Sequence, residues 1–162
     1  MRARLAGVVI SSVFPALCAS VTAFGADGRA LFDGRCAACH QKGGVGSANL
    51  APPLVDRPLW ERLGPNAVTY ISGIMIGGFS GRIVTGDQTW VGYVMPPQDD
   101  MSNEELAAIG SYVLGKLNGL ALQVTVSAVA QARTQPPTHG DLRRLRGGNT
   151  DTSAGAHDGT KD

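Results

Sequence analysis

The chain has 162 residues, 14 Lys+Arg against 13 Asp+Glu and 43% hydrophobic residues. This length holds one domain with extensions, and the hydrophobic content is that of a globular chain. A net charge of +1 without a basic stripe, the arginines clustering only briefly near the end, excludes a nucleic-acid binder.

Arg2 and Arg4 precede an apolar run, Leu5 to Ala19, and small residues then offer cleavage after Ala23, Gly25 or Ala26. Residues 1–26 are therefore predicted to be an export signal, with the periplasm as destination. An uncleaved anchor is the alternative, because no charge falls between Leu5 and Ala26; Pro15 and the shortness of the run favour cleavage. Membrane contact is expected only if the segment is kept. Cys18 lies in this stretch, and Pro15-Ala16-Leu17 before it lacks the small residue that a lipoprotein signal places there. Cleavage would leave two cysteines, no disulfide, and 12 basic against 13 acidic residues.

Asp27 suits an N-cap, and Gly28 to Cys36 predicts a short helix. Cys36-Ala37-Ala38-Cys39-His40 follows, the Cys-x-x-Cys-His pattern of covalent haem attachment. Two thiols at this spacing reach the two vinyl groups of one macrocycle, and the adjacent imidazole becomes the proximal iron ligand. A redox dithiol would follow a strand, and a zinc site would need a second Cys or His pair; neither is present. The 22 glycines fit the same reading, since a large flat cofactor supplies core that a loop-rich chain lacks.

Gly28 and Phe32, eight and four residues before Cys36, resemble the first helix of class I cytochromes c. In that family the helix crosses the last one at the glycine, and the aromatic packs in the crossing. Gln41 to Asn49 reads as a Gly-rich loop. Ala51-Pro52-Pro53-Leu54 is similar to the family's next turn. The resemblance implies that the Pro52 carbonyl accepts the proton of the distant His40 nitrogen and that Leu54 packs on the haem. Pro65 to Ile76 predicts a helix whose apolar face is Ala67, Val68, Ile71, Met75 and Ile76, with Met75 read as core. Gly77 to Gly81 breaks it. Arg82 to Trp90 alternates as a small hairpin with Gly86-Asp87 at its tip.

Met95-Pro96, 55 residues beyond His40, resembles the distal-ligand loop of class I cytochromes c. A soft, neutral thioether suits low-spin iron in both oxidation states. Met101, His139 and His157 are set aside as rivals. Trp90 either packs on the haem or donates to a propionate, or else it fills the hairpin core. The stretch before Met95 is similar to cytochrome subunits that serve periplasmic dehydrogenases. Ser102 to Leu117 predicts the strongest helix, capped at Ser102 or Asn103, striped by Leu106, Ile109, Val113 and Leu117, and stopped by Asn118-Gly119. Ile109 and Tyr112 match the pair through which the family's last helix meets the first. Leu120 to Arg133 suggests an extra helix and His139 to Arg146 a short basic one. Its arginines read as a solvated tail, or else as a dock for an acidic partner.

The expectation is an all-α cytochrome c fold, three to four helices around one covalently bound haem c with a small hairpin-like loop before the axial Met. Residues 1–26 form the signal, 27–118 the domain, 119–146 an extension and 147–162 a disordered tail. His40 and Met95 together leave iron no open site, which favours one-electron transfer over catalysis. A pocket of Leu54, Ile76, Val91 and Val94 would raise the potential. The resemblance implies a non-enzymatic carrier between a dehydrogenase donor and an oxidase or cytochrome acceptor. The alternatives are a haem enzyme or gas-binding protein with a labile Met95, and a subunit whose haem only stabilises the fold.

Overall fold

Asp27 starts the first helix: its carboxylate accepts from the backbone N–H groups of Arg29 at 3.0 Å and Ala30 at 3.2 Å. A computed structural model describes residues 26–147. The predicted signal before Ala26 and the tail from residue 148 lie outside the described residues. Helix α1 (Gly28–Arg35) runs to Cys36, where the chain bends into the single turn of α2 (Ala37–His40). The loop that follows is held. Gly44 is buried at φ 69°, and a Cβ there would sit 2.9 Å from Leu117 Cδ1. Ser47 and Ala51 bridge its far end.

Helix α3 (Arg57–Leu63), capped by Asp56 with Pro58 in its first turn, was not foreseen from sequence. Helix α4 (Asn66–Gly77) was, but only one face of it was expected to be buried. Tyr70, Ser72, Gly73 and Ile74 are buried as well, so α4 is covered nearly all round. A helix in that position belongs at the centre of a core, and α3, α5, α6 and α7 all pack on it.

After α4 the chain makes two nested antiparallel ribbons. Strand β1 (Phe79–Ser80) pairs with β4 (Val94–Met95), Phe79 opposite Met95. Between them β2 (Ile83–Thr85) pairs with β3 (Gln88–Trp90) around Gly86-Asp87, Gly86 having φ 54°. Gly78 makes the return possible. Its φ is 69°, and a Cβ would lie 2.5 Å from the Met95 carbonyl oxygen.

Helix α5 (Asn103–Ser111) starts from a reciprocal cap. Glu105 N donates to Ser102 Oγ at 3.2 Å, and Ser102 N donates to Glu105 Oε2 at 2.8 Å. It continues as a wider π-helical stretch, Tyr112–Leu117, which brings Leu114 into the core beside the predicted Leu106, Ile109 and Val113. Helices α1 and α5 cross at Gly28: a Cβ there would stand 2.2 Å from the Ala108 carbonyl oxygen. Phe32, fully buried, lies 5.5 Å from the Tyr112 ring.

Two further helices complete the core. Helix α6 (Val126–Thr134) packs on α4 and α5, and α7 (His139–Arg146) on α4, α3 and β1. The reading of the arginine cluster as a solvated tail is thereby corrected. Thr138 and Asp141 cap α7 reciprocally, and fully buried Leu142 seats it where Gly73 leaves room, a Cβ at Gly73 falling 2.9 Å from Leu142 Cδ2. Seven α-helical segments stand among the described residues where three to four were expected, and the small strands are additional. None of the described helices is long and apolar enough to cross a membrane.

Gly28→Ala forces a methyl group into the Ala108 carbonyl. It is expected to lower unfolding free energy by about 1–3 kcal/mol in urea titration, whereas Gly34→Ala, with open space around its Cβ position, is not.

Candidate functional site

One cavity gathers the predicted chemistry. Cys36, Cys39 and His40 contribute from α1–α2, Pro52 and Leu54 from the following loop, Trp60 from α3, Tyr70 and Ile74 from α4, and Phe79 and Met95 from the outer ribbon. Local structure sets each. His40 N donates to Cys36 O at 2.9 Å, closing the turn that places both cysteines and the histidine on one short helical segment.

His40 is 8% exposed, and its Nδ1 lies 3.0 Å from the Pro52 carbonyl oxygen. A carbonyl only accepts, so Nδ1 carries the proton and Nε2 keeps its lone pair. Nε2 has no hydrogen bond among the described residues. Burial pushes the His40 pKa below its usual 6.5, with the bond to Pro52 opposing, so the neutral, ligating form prevails at pH 7. Cys36 is half-buried; burial pushes its thiol up to about 11, nearby Arg35 opposing and Cys39 adding. Cys39 is exposed.

These residues suit a covalent haem better than a bare ion. Among the described residues no three His, Cys, Asp or Glu side chains converge as ion ligands do. Two free thiols, an imidazole with one free lone pair and a thioether instead line a mainly apolar space.

The strand register decides the methionine. Met95, opposite Phe79, is half-buried and lines the cavity. Met75 is core, its Cε 3.3 Å from where a Gly110 Cβ would stand, and neither Met75 nor Met101 lines the cavity. His139 is committed to Ser80 Oγ at 2.8 Å and Gly77 O at 3.2 Å. His157 lies outside the described residues.

Trp90 is a correction. Its indole N–H donates across the hairpin to Thr85 Oγ1 at 2.7 Å, its ring packs edge-on to Tyr93 at 5.6 Å, and it does not line the cavity. The expected apolar pocket changes too. Leu54 and Val94 line it, but Ile76 and Val91 do not, and Val91 is 66% exposed. Leu59, Trp60, Tyr70, Ile74, Phe79 and Ile83 take their place. The unforeseen α3 and the register of β1 account for the substitution.

Asn118 was read only as a helix stop. It is buried, donating to Leu54 O at 2.9 Å and Val113 O at 2.8 Å and accepting from Asp56 N at 3.0 Å. Trp60 Nε1 donates to the same Leu54 carbonyl at 2.9 Å. The loop carrying Pro52 and Leu54 is thus tied to the π-helical end of α5 and to α3. Arg146, from α7, also lines the cavity and was not singled out from sequence.

The sequence model of a family described as Cytochrome c matches residues 25–116, ending before α6 and α7. The fructose dehydrogenase cytochrome subunit of Gluconobacter japonicus is 31% identical over 110 residues, which cover 66% of this chain. The match spans 22% of that relative's length.

Asn118→Leu takes from the Asp56 N–H its side-chain acceptor and removes the amide that bridges Leu54 O and Val113 O. It is expected to cost about 1–3 kcal/mol in denaturant unfolding. In the haem-free protein, a Cys36 thiol raised from 9.0 to about 11 holds little thiolate at pH 8. Iodoacetamide is expected to modify it on the order of 100-fold more slowly than an unperturbed cysteine, the rate climbing until pH passes about 11. Peptide mass spectrometry reads the rate, and reaction at the ordinary rate counts against a buried Cys36.

Proposed function

This chain belongs to the cytochrome c family, and from that premise we propose that it carries single electrons from a dehydrogenase to a downstream oxidase or cytochrome. When bound, haem c supplies a one-electron Fe(II)/Fe(III) couple. The observation carrying the reading is that one cavity is lined by both thiols of the Cys-x-x-Cys-His segment, by His40 and by Met95.

Cys36 and Cys39 hold the cofactor covalently. His40 offers Nε2 as proximal ligand, and the Pro52 carbonyl fixes its tautomer and ring orientation. Met95 offers a neutral sulfur as distal ligand, held in place by its pairing with Phe79. Leu54, Leu59, Ile74 and Phe79 exclude water, and so disfavour the extra positive charge of the oxidised state and raise the midpoint. Tying both ligands to packed elements limits how far they move when charge changes. Leu50 at 46% and Val94 at 71% exposure give the rim of the cavity an apolar surface suited to brief docking of a redox partner.

The dehydrogenase link is supported by the relative that is itself a dehydrogenase cytochrome subunit. Export to the periplasm is supported by the basic and apolar character of the first 26 residues.

Met95→Ala is expected to abolish the iron–thioether charge-transfer band of the oxidised protein, lower the midpoint and admit cyanide or carbon monoxide rapidly. Absorption spectroscopy and potentiometry check this. An unchanged spectrum and midpoint would remove Met95 from the iron, and rapid ligand binding by the native protein would favour gas binding over electron transfer. Stopped-flow mixing with a reduced dehydrogenase tests the exchange itself.

A further inference from the structure

Helix α7 ends at the cavity, and its last residue reaches in. The Arg146 side chain is 13% exposed. Its Nη1 donates to Tyr70 Oη at 3.0 Å and its Nη2 to the Val84 carbonyl at 3.3 Å. Both acceptors are neutral. The nearest carboxylate oxygen, Asp56 Oδ2, is 3.9 Å away, at the limit of an ion pair, while Asp56 Oδ1 caps α3 by accepting from Leu59 N. Arg146 is therefore a largely buried cation facing a mostly apolar space, with no carboxylate in hydrogen-bonding contact and with N–H donors to spare.

Such a charge is costly unless an anion meets it. A guanidinium is also the side chain best matched to a carboxylate, through two parallel N–H donors. The other cavity arginine differs. Arg35 is 42% exposed, paired with Asp100 and bonded to Gln98 Oε1 at 2.6 Å. Its charge is already met at the surface. Tyr70 adds to the contrast: it also lines the cavity, and an Oη that accepts from Arg146 still has a proton to donate.

Haem carries its negative charge on two propionate carboxylates attached to an otherwise apolar disc. We infer that Arg146, with Tyr70 beside it, holds a haem propionate, so that α7 takes part in setting the redox midpoint. The assignment rests on the cavity holding haem c. It gives the C-terminal helix a role beyond covering α4. A cation beside the cofactor opposes the additional positive charge of the ferric state, and therefore raises the midpoint.

The test is potentiometric titration of full-length haem-loaded protein carrying Arg146→Gln or Arg146→Lys. The glutamine variant is expected to have a lower midpoint than wild type. The lysine variant, which keeps the charge, is expected to recover most of the difference. A loaded glutamine variant at the wild-type midpoint, or equal shifts in both variants, overturns the assignment. Should the glutamine variant fail to load, wild-type protein labelled with 15N-arginine decides. The guanidinium signal missing from Arg146→Lys is expected to be protected from solvent exchange, and fast exchange overturns the assignment. Wild-type protein purified without a haem spectrum would instead sink the reading of the cavity itself.

Discussion

Two helix backbones meet at Gly28, where nothing larger than hydrogen fits against the Ala108 carbonyl. Much of the cavity's architecture is referenced to that crossing. Phe32 and Tyr112 fill it, which sets the angle at which α1 leaves and so where Cys36, Cys39 and His40 are delivered. From the other partner, α5 and its π-helical end deliver Asn118, whose amide grips Leu54 and Asp56. Pro52, two residues before Leu54, then meets His40. The proximal side of the cavity is therefore a closed circuit of contacts running through one glycine, and looseness at any link would be felt at the imidazole.

The methionine side is built differently. Its position depends on a two-residue strand pair and on Gly78, which lets the Met95 carbonyl approach the end of α4. Gln98 N then donates to Met75 O at 2.7 Å, tying the chain after Met95 back to the same helix. Helix α4 thus acts as a post. On one side it carries Tyr70 and Ile74 into the cavity, and the outer ribbon springs from its end. Helices α6 and α7 cover its remaining faces, and Met75 is buried against Gly110 of α5, away from the cavity.

Charge inside the site is arranged with few groups. Burial keeps His40 neutral and Cys36 protonated before any cofactor bond forms. Arg146 stands out as a cation whose neighbours only partly compensate it, delivered by a helix beyond the matched family stretch. Placing that one charge on a helix seated by Leu142 couples the packing of the C-terminal segment to the electrostatics of the cavity.

The chain's own order of residues was enough for whatever is local. Cys36, Cys39 and His40 are adjacent in sequence, the Ser102 cap is a four-residue pattern, and the Gly86-Asp87 hairpin closes over two residues; short-range chemistry settles each. The resemblance carried Pro52, Leu54 and Met95, and these line the same cavity as the motif. Tertiary structure alone decided the long-range matters. Trp90 is the short-range exception: its N–H goes to Thr85, five residues back across the hairpin, and only the folded ribbon shows which face the ring takes. Ile76 and Val91 lost their expected places because strand register and α3 brought in Phe79 and Trp60, pairings that no periodicity encodes. Asn118 and Arg146 looked like a helix stop and a tail charge, because hydrogen bonds to Leu54 and Tyr70 span 64 and 76 residues of chain. A side chain's sequence neighbours state what it can bond, whereas only the packed chain states which partner reaches it.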